Sequence, residues 1–334
     1  MSTERGRRVR LHIQNSRKQS PVFWITPELY EAAVKRHPAV ARRLRMTMGW
    51  EPDEYYAAMP SAEVLIGWSF PREDLDARAP RLRWIQLTSA GIEHVVPLDW
   101  LPARTVLTTN SGVHGPKAGE YAHMALVMLN NRIPAHVTNQ QHGRWDRTFN
   151  TTVSGKTVAV IGLGRMGGAV AAQAKRLKLR VLGVRRSRRP HRDVDRMFGP
   201  GELGRVLPEA DFVVIAAPLT AETRGLLGAK EFDLMKPGAG LINMGRAAIV
   251  DYEALRERLA SGQLSGAVLD VTDPEPLPAD SPLWRTPNLI ITPHVSSDDA
   301  ERYTPRTLDL LFRNMERFLN GRPLRNRIDP RAQY

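Results

Sequence analysis

Arg246, Glu275 and His294 are of types that serve in proton and anion chemistry, and each follows a short apolar run. Arginine presents a planar fork of N–H donors that matches a carboxylate, and imidazole titrates near neutral pH and can donate a proton. A glutamate hydrogen-bonded to that imidazole would orient the ring and favour its protonated form. Such a set suits the reduction of a 2-oxo acid, which needs a cation for the carboxylate and a proton for the new hydroxyl.

Each of these residues alone has a simpler explanation. An arginine at a strand end is usually a surface cation, a glutamate before a proline is usually a solvated turn, and one of nine histidines is usually structural. The combination is more specific because all three residues follow predicted strands of one sheet. Ligands bind at the carboxyl ends of the strands in open parallel sheets.

A glycine turn indicates what binds at that edge. The apolar run 157–161 predicts a buried strand, which leads into a G-x-G-x-x-G turn formed by Gly162, Gly164 and Gly167. These glycines allow a tight turn, close backbone approach to a pyrophosphate, and packing of the next helix, predicted at 166–176. Because that helix would direct its free N–H groups at the anion, the turn favours a dinucleotide site over an ordinary loop.

Further elements extend this region into a six-stranded pattern of Rossmann type. After a second strand at 180–184, the sequence predicts strands at 212–216, 240–243, 267–269 and 289–291. Helical segments lie between them, among them 252–261, for which Asp251 is placed as N-cap and Gly262 just past the end. This alternation is typical of a parallel sheet wound with helices.

The N-terminal part predicts a second sheet of the same class. Its strands are expected at 9–14, 62–66, 82–87 and 105–109, and its helices at 27–34 and 72–78. The loop Ser89-Ala90-Gly91 follows one of these strands, and its small residues can offer backbone N–H groups to a carboxylate. The fold class is therefore α/β.

Two helices fall outside this alternation. The segment 117–131 is apolar almost all round, which predicts a helix buried between domains or between subunits. A polar stretch, 139–154, separates it from the glycine turn. A long amphipathic helix is predicted at about 300–319.

Composition narrows the class of protein. A hydrophobic content of 42% and a charged content of 25% are ordinary for a globular protein, and the absence of cysteine excludes disulfides and thiolate metal sites. The N-terminus lacks the apolar core of a secretory signal, and no run approaches the length of a membrane span, so we expect a cytoplasmic protein with no membrane partner. The net charge of +13 comes from scattered arginines. Without a basic stripe and interleaved aromatics, we expect no specific nucleic-acid partner.

The chain resembles the D-isomer-specific 2-hydroxyacid dehydrogenases over nearly its whole length, with a weak match in the first 75 or so residues. The resemblance rests on the segments 84–91 (WIQLTSAG), 217–225 (APLTAETRG) and 292–294 (TPH), together with the glycine turn. It implies two Rossmann-like doubly wound parallel-sheet domains. The dinucleotide-binding domain, 109–296, would be inserted into a flavodoxin-like substrate domain formed by 1–108 and 297–334.

The resemblance also implies site residues. The family's catalytic Arg, Glu and His fall on Arg246, Glu275 and His294, and Asp270 falls near the nicotinamide amide. The substrate would contact Arg246, His294 and the loop of Ser89, Ala90 and Gly91. The cofactor would contact the glycine turn and these further residues: Arg165, Met166, Arg185, Arg186, Ser187, Arg188, Ala217, Pro218, Thr223, Met244 and Asp270. Members are commonly homodimers through the nucleotide domain, which would explain the apolar helix 117–131.

One departure concerns the choice of cofactor. Many relatives carry an aspartate on the adenosine ribose at the end of the second nucleotide-domain strand, whereas this chain has Arg185, 21 residues after Gly164, followed by further arginines. Arginines there can clamp a 2′-phosphate, so we expect NADP(H) to be preferred over NAD(H). The alternative is a solvated basic loop.

These observations predict NADPH-dependent reduction of a small 2-oxo acid of the glyoxylate or hydroxypyruvate kind to the D-2-hydroxy acid, with His294 as proton donor. A dinucleotide-sensing, corepressor-like binding protein is an alternative in another class. Oxidation of phosphite on the same fold is a second alternative. Formate dehydrogenases of this fold pair their histidine with glutamine, so Glu275 speaks against formate.

Overall fold

The strands form two separate sheets in the computed structural model, which describes residues 7 to 330. The strands of that range are β1 Val9–Gln14, β2 Leu44–Gly49, β3 Val64–Gly67, β4 Trp84–Leu87, β5 Val106–Thr108, β6 Thr157–Ile161, β7 Arg180–Val184, β8 Arg196–Phe198, β9 Phe212–Ile215, β10 Ala239–Asn243, β11 Leu264–Leu269 and β12 Leu289–Ile291.

Helices connect most of these strands. Those of the described chain are α1 Pro27–Arg36, α2 Pro38–Ala41, α3 Pro52–Ala58, α4 Leu75–Arg78, α5 Gly115–Asn130, α6 Ile133–Gln141, α7 Arg165–Arg176, α8 Leu203–Val206, α9 Ala229–Leu234, α10 Tyr252–Ala260 and α11 Tyr303–Leu319. The predicted cap of α10 is present, since the Asp251 carboxylate accepts the N–H groups of Glu253 and Ala254 at 3.0 and 3.1 Å. A cap of this kind contributes about 1 kcal/mol.

The first unit comprises residues 7–113 and 299–330. Its sheet has the order β2-β1-β3-β4-β5, and every neighbouring pair is parallel. This is the flavodoxin-like order. Helix α11 packs against α1, so the C-terminal segment completes the unit that the N-terminal segment begins.

The second unit, residues 114–298, contains a parallel sheet of order β12-β11-β10-β9-β6-β7-β8. The direction of winding reverses between β6 and β9, which is the switch point where ligands bind in doubly wound sheets. The second unit is inserted between the two segments of the first, and the predicted fold class of two Rossmann-like parallel-sheet domains is confirmed.

Strand β6 shows why the glycine turn is held rigidly. Val158 and Val160 pack into the core on one face of the sheet, and Ala159 and Ile161 pack into the core on the other. All four are at most 2% exposed. Complete burial of one valine or isoleucine side chain contributes roughly 1.5–3 kcal/mol, so the strand that leads into Gly162 is fixed from both sides.

Two strands were not predicted from the sequence. The expectation of six strands in the nucleotide-type sheet was wrong, because that sheet has seven. The seventh strand, β8, has three residues and lies at the sheet edge after the arginine-rich tract. In the first sheet the missed strand is β2, an edge strand whose burial is interrupted by exposed residues. Short or half-exposed edge strands lack the continuous apolar run that marks central parallel strands.

Two helical expectations also need correction. Residues 139–141, assigned to a polar stretch, belong to α6, which has a proline in its first turn. The apolar helix predicted at 117–131 is α5, and within a single chain it is buried on only part of its surface. One face packs on α7 and on β10 and β11, whereas Met124 on another face is 43% exposed.

No helix within residues 7–330 combines the length and apolar character needed to cross a bilayer.

Candidate active site

His294 and Glu275 form a hydrogen-bonded pair at the carboxyl edge of the seven-stranded sheet. The distance from His294 Nδ1 to Glu275 Oε2 is 2.8 Å, and the side chains are 43% and 38% exposed. The other carboxylate oxygen of Glu275 accepts the N–H of Thr272 at 3.0 Å. An ionised carboxylate only accepts, so the proton of this contact lies on Nδ1. That tautomer leaves Nε2 free to take up or release a proton.

The backbone at His294 has a left-handed conformation, with φ of 54°. This conformation costs a non-glycine residue of order 1–3 kcal/mol and persists only where surrounding contacts impose it. Those contacts come from Asp270, whose carbonyl accepts the His294 N–H at 2.9 Å. The Asp270 carboxylate accepts the N–H groups of Val295 and Ser296, each at 2.9 Å. Asp270 is 1% exposed, so these charge-assisted bonds are shielded from water.

Arg246 follows β10, the strand beside β11 and Asp270. Buried Asn243 shapes the turn that carries it. The Asn243 amide donates to the Arg246 carbonyl at 3.1 Å and accepts the Gly245 N–H at 3.1 Å. The Arg246 guanidinium, which is half-buried, donates to the Gly245 carbonyl at 2.8 Å.

Tyr252 links this turn to the segment that contains Glu275. Its hydroxyl receives the Asn243 amide at 3.0 Å and donates to the Val271 carbonyl at 2.7 Å. Burial raises the pKa of Tyr252, and the negative charge of Glu275 acts in the same direction. The loops after β10 and β11 are therefore joined by side-chain hydrogen bonds as well as by strand pairing.

The glycine turn leaves room for a pyrophosphate. Gly162 has φ of 96°, and a Cβ on it would lie 2.5 Å from the backbone of Ala217. A Cβ on Gly167 would lie 1.8 Å from the Gly162 carbonyl oxygen, so helix α7 approaches its strand in a way that only glycine permits. At Gly164 a Cβ would meet open space within the described chain, and no described side chain caps α7. These features fit a dinucleotide on the N-terminus of α7.

The other predicted cofactor residues surround this turn or lie on neighbouring strand ends. Arg165 is exposed, Met166 is half-buried, and Met244 packs into the core. Pro218 and Thr223 belong to the loop after β9, where the Thr223 hydroxyl donates to the Pro218 carbonyl at 2.8 Å. That bond closes the loop that begins at Ala217.

The basic loop after β7, residues 185–189, is organised by its own backbone. Arg185 donates to the Leu163 carbonyl at 3.3 Å and to the Arg189 carbonyl, which ties the loop to the glycine turn. Its Nε is buried without a partner among residues 7–330. Arg188 pairs with Glu202 at 3.0 Å and keeps 62% of its side chain exposed. Arg186 and Ser187 are exposed.

The predicted substrate loop, Ser89-Ala90-Gly91, lies in the first unit after β4. The Ser89 carbonyl accepts the Asn110 N–H at 2.8 Å, and the Asn110 amide donates to the Thr88 carbonyl at 3.0 Å. Ser89 Oγ is buried and has no hydrogen-bond partner in the described chain, while Ala90 and Gly91 are half-buried.

Asn243, Tyr252 and Thr292 were not singled out from the sequence. Each positions another polar residue. Only their places in the sequence could have pointed to two of them, since Asn243 ends a strand and Thr292 stands two residues before His294. As for metals, no group of three or more potential ligand side chains converges within residues 7–330.

The family model for the NAD binding domain of D-isomer specific 2-hydroxyacid dehydrogenases matches residues 123–296, just over half of the chain. A glyoxylate/hydroxypyruvate reductase B of Pectobacterium atrosepticum is 34% identical over 83% of this chain and 88% of its own length.

Two solved structures agree with this match. A D-isomer specific 2-hydroxyacid dehydrogenase from Xanthobacter autotrophicus, in complex with NADPH and MES, is 28% identical, has a TM-score of 0.80, and aligns over 98% of this chain and 100% of that one. An NADPH-dependent glyoxylate/hydroxypyruvate reductase from Sinorhizobium meliloti, in complex with NADP and sulfate, is 25% identical with a TM-score of 0.80 and the same coverage.

The resemblance seen in the sequence is thus confirmed, and it agrees with the presence of the His294–Glu275 pair and a dinucleotide-type glycine turn in the same sheet. The chain belongs to the D-isomer specific 2-hydroxyacid dehydrogenase family of NAD(P)-dependent oxidoreductases.

Proposed function

We propose that this protein reduces a small 2-oxo acid, of the glyoxylate or hydroxypyruvate kind, to the D-2-hydroxy acid with NADPH. The observation that carries the proposal is the His294–Glu275 pair, held by Asp270 in the sheet that also carries the glycine turn. Relatives named glyoxylate/hydroxypyruvate reductase support the substrate class.

His294 is the proposed general acid. Its Nδ1 is engaged by Glu275, so Nε2 is the atom that delivers a proton to the carbonyl oxygen. The glutamate accepts a hydrogen bond at Nδ1 and thereby fixes the orientation of the ring during the transfer. The reduced nicotinamide, when bound, supplies the hydride.

Arg246 is the proposed anchor for the substrate carboxylate. A guanidinium can make two parallel hydrogen bonds to a carboxylate, and its charge polarises a neighbouring carbonyl. The turn that carries it is fixed by buried Asn243. On the first unit, Ser89, Ala90 and Gly91 stay predicted substrate contacts, and the buried Ser89 Oγ has unused hydrogen-bonding capacity among the described residues.

The preference for NADPH rests on the basic loop 185–189. Arg185 donates to loop carbonyls and thereby shapes the loop. We assign direct contact with a 2′-phosphate to the exposed side chains of Arg186, Ser187 and Arg188. Relatives solved in complex with NADPH or NADP support the choice of this cofactor.

A homodimer formed through the second unit is part of the proposal. Trp145 and Phe149 are 93% and 84% exposed in the chain, which is unusual for aromatic residues. A cavity of about 490 Å³ lies beside Trp145 and is lined by α6. Helix α5 adds a stripe of Met124, Val127 and Met128 that is not fully buried.

His294→Ala tests the proposed reaction. We expect kcat with glyoxylate or hydroxypyruvate and NADPH to fall roughly 10²- to 10⁴-fold, the usual contribution of general acid catalysis, while the Kd for NADPH stays nearly constant. His37→Ala, which removes a histidine from the first unit, should retain activity. A kcat of His294→Ala within a factor of three of wild type would contradict this role of His294.

The wild-type protein also distinguishes the alternative functions. Binding of NADPH without turnover of any 2-oxo acid would indicate a binding protein, and turnover of phosphite alone would identify a phosphite dehydrogenase.

Replacing Arg186 and Arg188 together by alanine tests the phosphate site. The wild-type protein should prefer NADPH over NADH by roughly 100-fold in kcat/KM at low salt, because two charge-assisted contacts at a partly exposed site stabilise the bound phosphate. The double variant should lose most of that preference and keep its activity with NADH. Arg192→Ala, an exposed arginine that pairs with Asp193 in the same tract, is the matched control. Equal kcat/KM for both cofactors in the wild type would show that the loop is only a solvated surface.

Sedimentation of a Trp145→Glu, Phe149→Glu variant tests the dimer. The wild type should sediment as a dimer, and the variant as a monomer, because two charges would be buried in the interface without partners. Leu234→Glu alters an apolar residue of α9 that is 43% exposed, and it should leave the dimer intact. A wild-type monomer, or a dimer unaffected by both charges, would contradict the assignment.

A further inference from the structure

A row of hydrogen-bonded hydroxyl groups, buried at Tyr121 and half-buried at Thr292, connects helix α5 to the loop of His294. Tyr121 on α5 lies with its hydroxyl 2.7 Å from Thr292 Oγ1, and Thr292 Oγ1 lies 2.6 Å from Asp270 Oδ1. Tyr121 is 6% exposed and Asp270 is 1% exposed. All of these residues belong to the second unit.

The direction of the row follows from a count of hydrogens. Both oxygens of the Asp270 carboxylate already accept amide hydrogens, from Val295 and Ser296, so the carboxylate also acts as the acceptor toward Thr292. A threonine hydroxyl has one hydrogen, and Thr292 uses it on Asp270. Tyr121 must therefore donate to Thr292 Oγ1, and the row runs from Tyr121 through Thr292 to Asp270.

Tyr121 is suited to act as a permanent donor. Burial raises the pKa of Tyr121 to about 12, and the Asp270 charge acts in the same direction. The phenol therefore keeps its hydrogen at neutral pH. Because its helix also packs on α7 and the sheet, the donor is attached to the rigid part of the unit.

The row ends on the group that fixes the His294 backbone. Asp270 fastens the loop on both sides of His294, at Thr292 before it and at Val295 and Ser296 after it. His294 between them has a left-handed backbone that relaxes when its anchors loosen. A small rotation of that backbone moves the imidazole away from productive geometry, and reaction rates depend strongly on such placement.

We propose that Tyr121 is a positioning residue for His294, which it holds in place through Thr292 and Asp270. The inference rests on the proposed function of His294 as general acid. It assigns Tyr121 no contact with substrate or cofactor. A positioning role of this kind affects kcat and leaves KM and cofactor affinity nearly constant.

The experiment is a double-mutant cycle of Tyr121→Phe and Thr292→Val, assayed with glyoxylate and NADPH. We expect kcat to fall roughly 3- to 10-fold for Tyr121→Phe and roughly 10- to 100-fold for Thr292→Val, with KM and the Kd for NADPH within about twofold of wild type. The double variant should match Thr292→Val, because Tyr121 acts through Thr292. Thr292→Ser, which retains the hydroxyl, should keep kcat near the wild-type value.

Tyr55→Phe is the matched control. Tyr55 is 1% exposed and its hydroxyl donates to the Pro71 carbonyl at 2.9 Å, in the first unit. The control should lose a comparable buried hydrogen bond and a comparable amount of Tm, without a change in kcat. If Tyr55→Phe and Tyr121→Phe lowered kcat equally, the effect would be one of general stability and the proposal would be overturned.

Amide hydrogen exchange at Val295 and Ser296, measured by NMR on the full chain, separates this proposal from the proposed reaction. Exchange at both amides should be faster in Tyr121→Phe than in wild type. If the wild type reduced no 2-oxo acid but exchange still accelerated, the reaction would be wrong and the positioning role would stand. Unchanged exchange, or multiplicative effects on kcat in the double variant, would overturn the role of Tyr121.

Discussion

The candidate site depends on the buried carboxylate of Asp270 and on its hydrogen bonds to the loop that contains His294. Asp270 accepts the amides of Val295 and Ser296 and the hydroxyl of Thr292, and its own carbonyl accepts the His294 amide. Hydrogen bonds to an ionised acceptor are roughly twice as strong as those between neutral groups, and burial strengthens them further. They impose a left-handed backbone on a residue that does not favour it, and so direct the imidazole at Glu275.

A second constraint comes from the parallel sheet. Strands β10, β11 and β12 are neighbours in register, so the loops that follow them emerge side by side. Arg246, Glu275 and His294 come from these three loops. Asn243 and Tyr252 join the first two, and Asp270 and the Glu275 contact hold the third. At the switch point of the same sheet, Gly162 and Gly167 let neighbouring backbone segments approach so closely that a Cβ at either position would clash. Arg246, the Glu275–His294 pair and the glycine turn are thus placed at the same edge of one sheet.

Much of this arrangement was predictable because it depends on residue type and strand position. The run of Val158 to Ile161 and the glycines after it specify a buried strand and a close turn, and the fold class followed from the alternation of such runs. The sequence could also suggest that Glu275 and His294 pair, since both follow neighbouring strands. The edge strands β2 and β8 were not predicted, because half-exposed segments have no continuous apolar run.

Other features could not be predicted, because they depend on contacts between distant segments. The left-handed backbone at His294 exists only where Asp270 is placed to hold it. Arg185 offers a cation in the sequence, yet in the fold its guanidinium binds carbonyls of its own loop and of the glycine turn. The hydroxyl of Tyr121 lies 171 positions from Thr292 in the chain, so no local pattern reveals their contact.

The most direct test of the central claim is a comparison of kcat for 2-oxo acid reduction in the wild type and in Glu275→Gln. The Glu275 carboxylate accepts a hydrogen bond at His294 Nδ1, which leaves Nε2 to deliver a proton. Glutamine has the same size but replaces a charge-assisted hydrogen bond with a weaker neutral one. We expect kcat to fall roughly 10-fold in the variant, with NADPH affinity unchanged. A kcat equal to that of the wild type would contradict the pairing of Glu275 with His294 as the proton-donating unit.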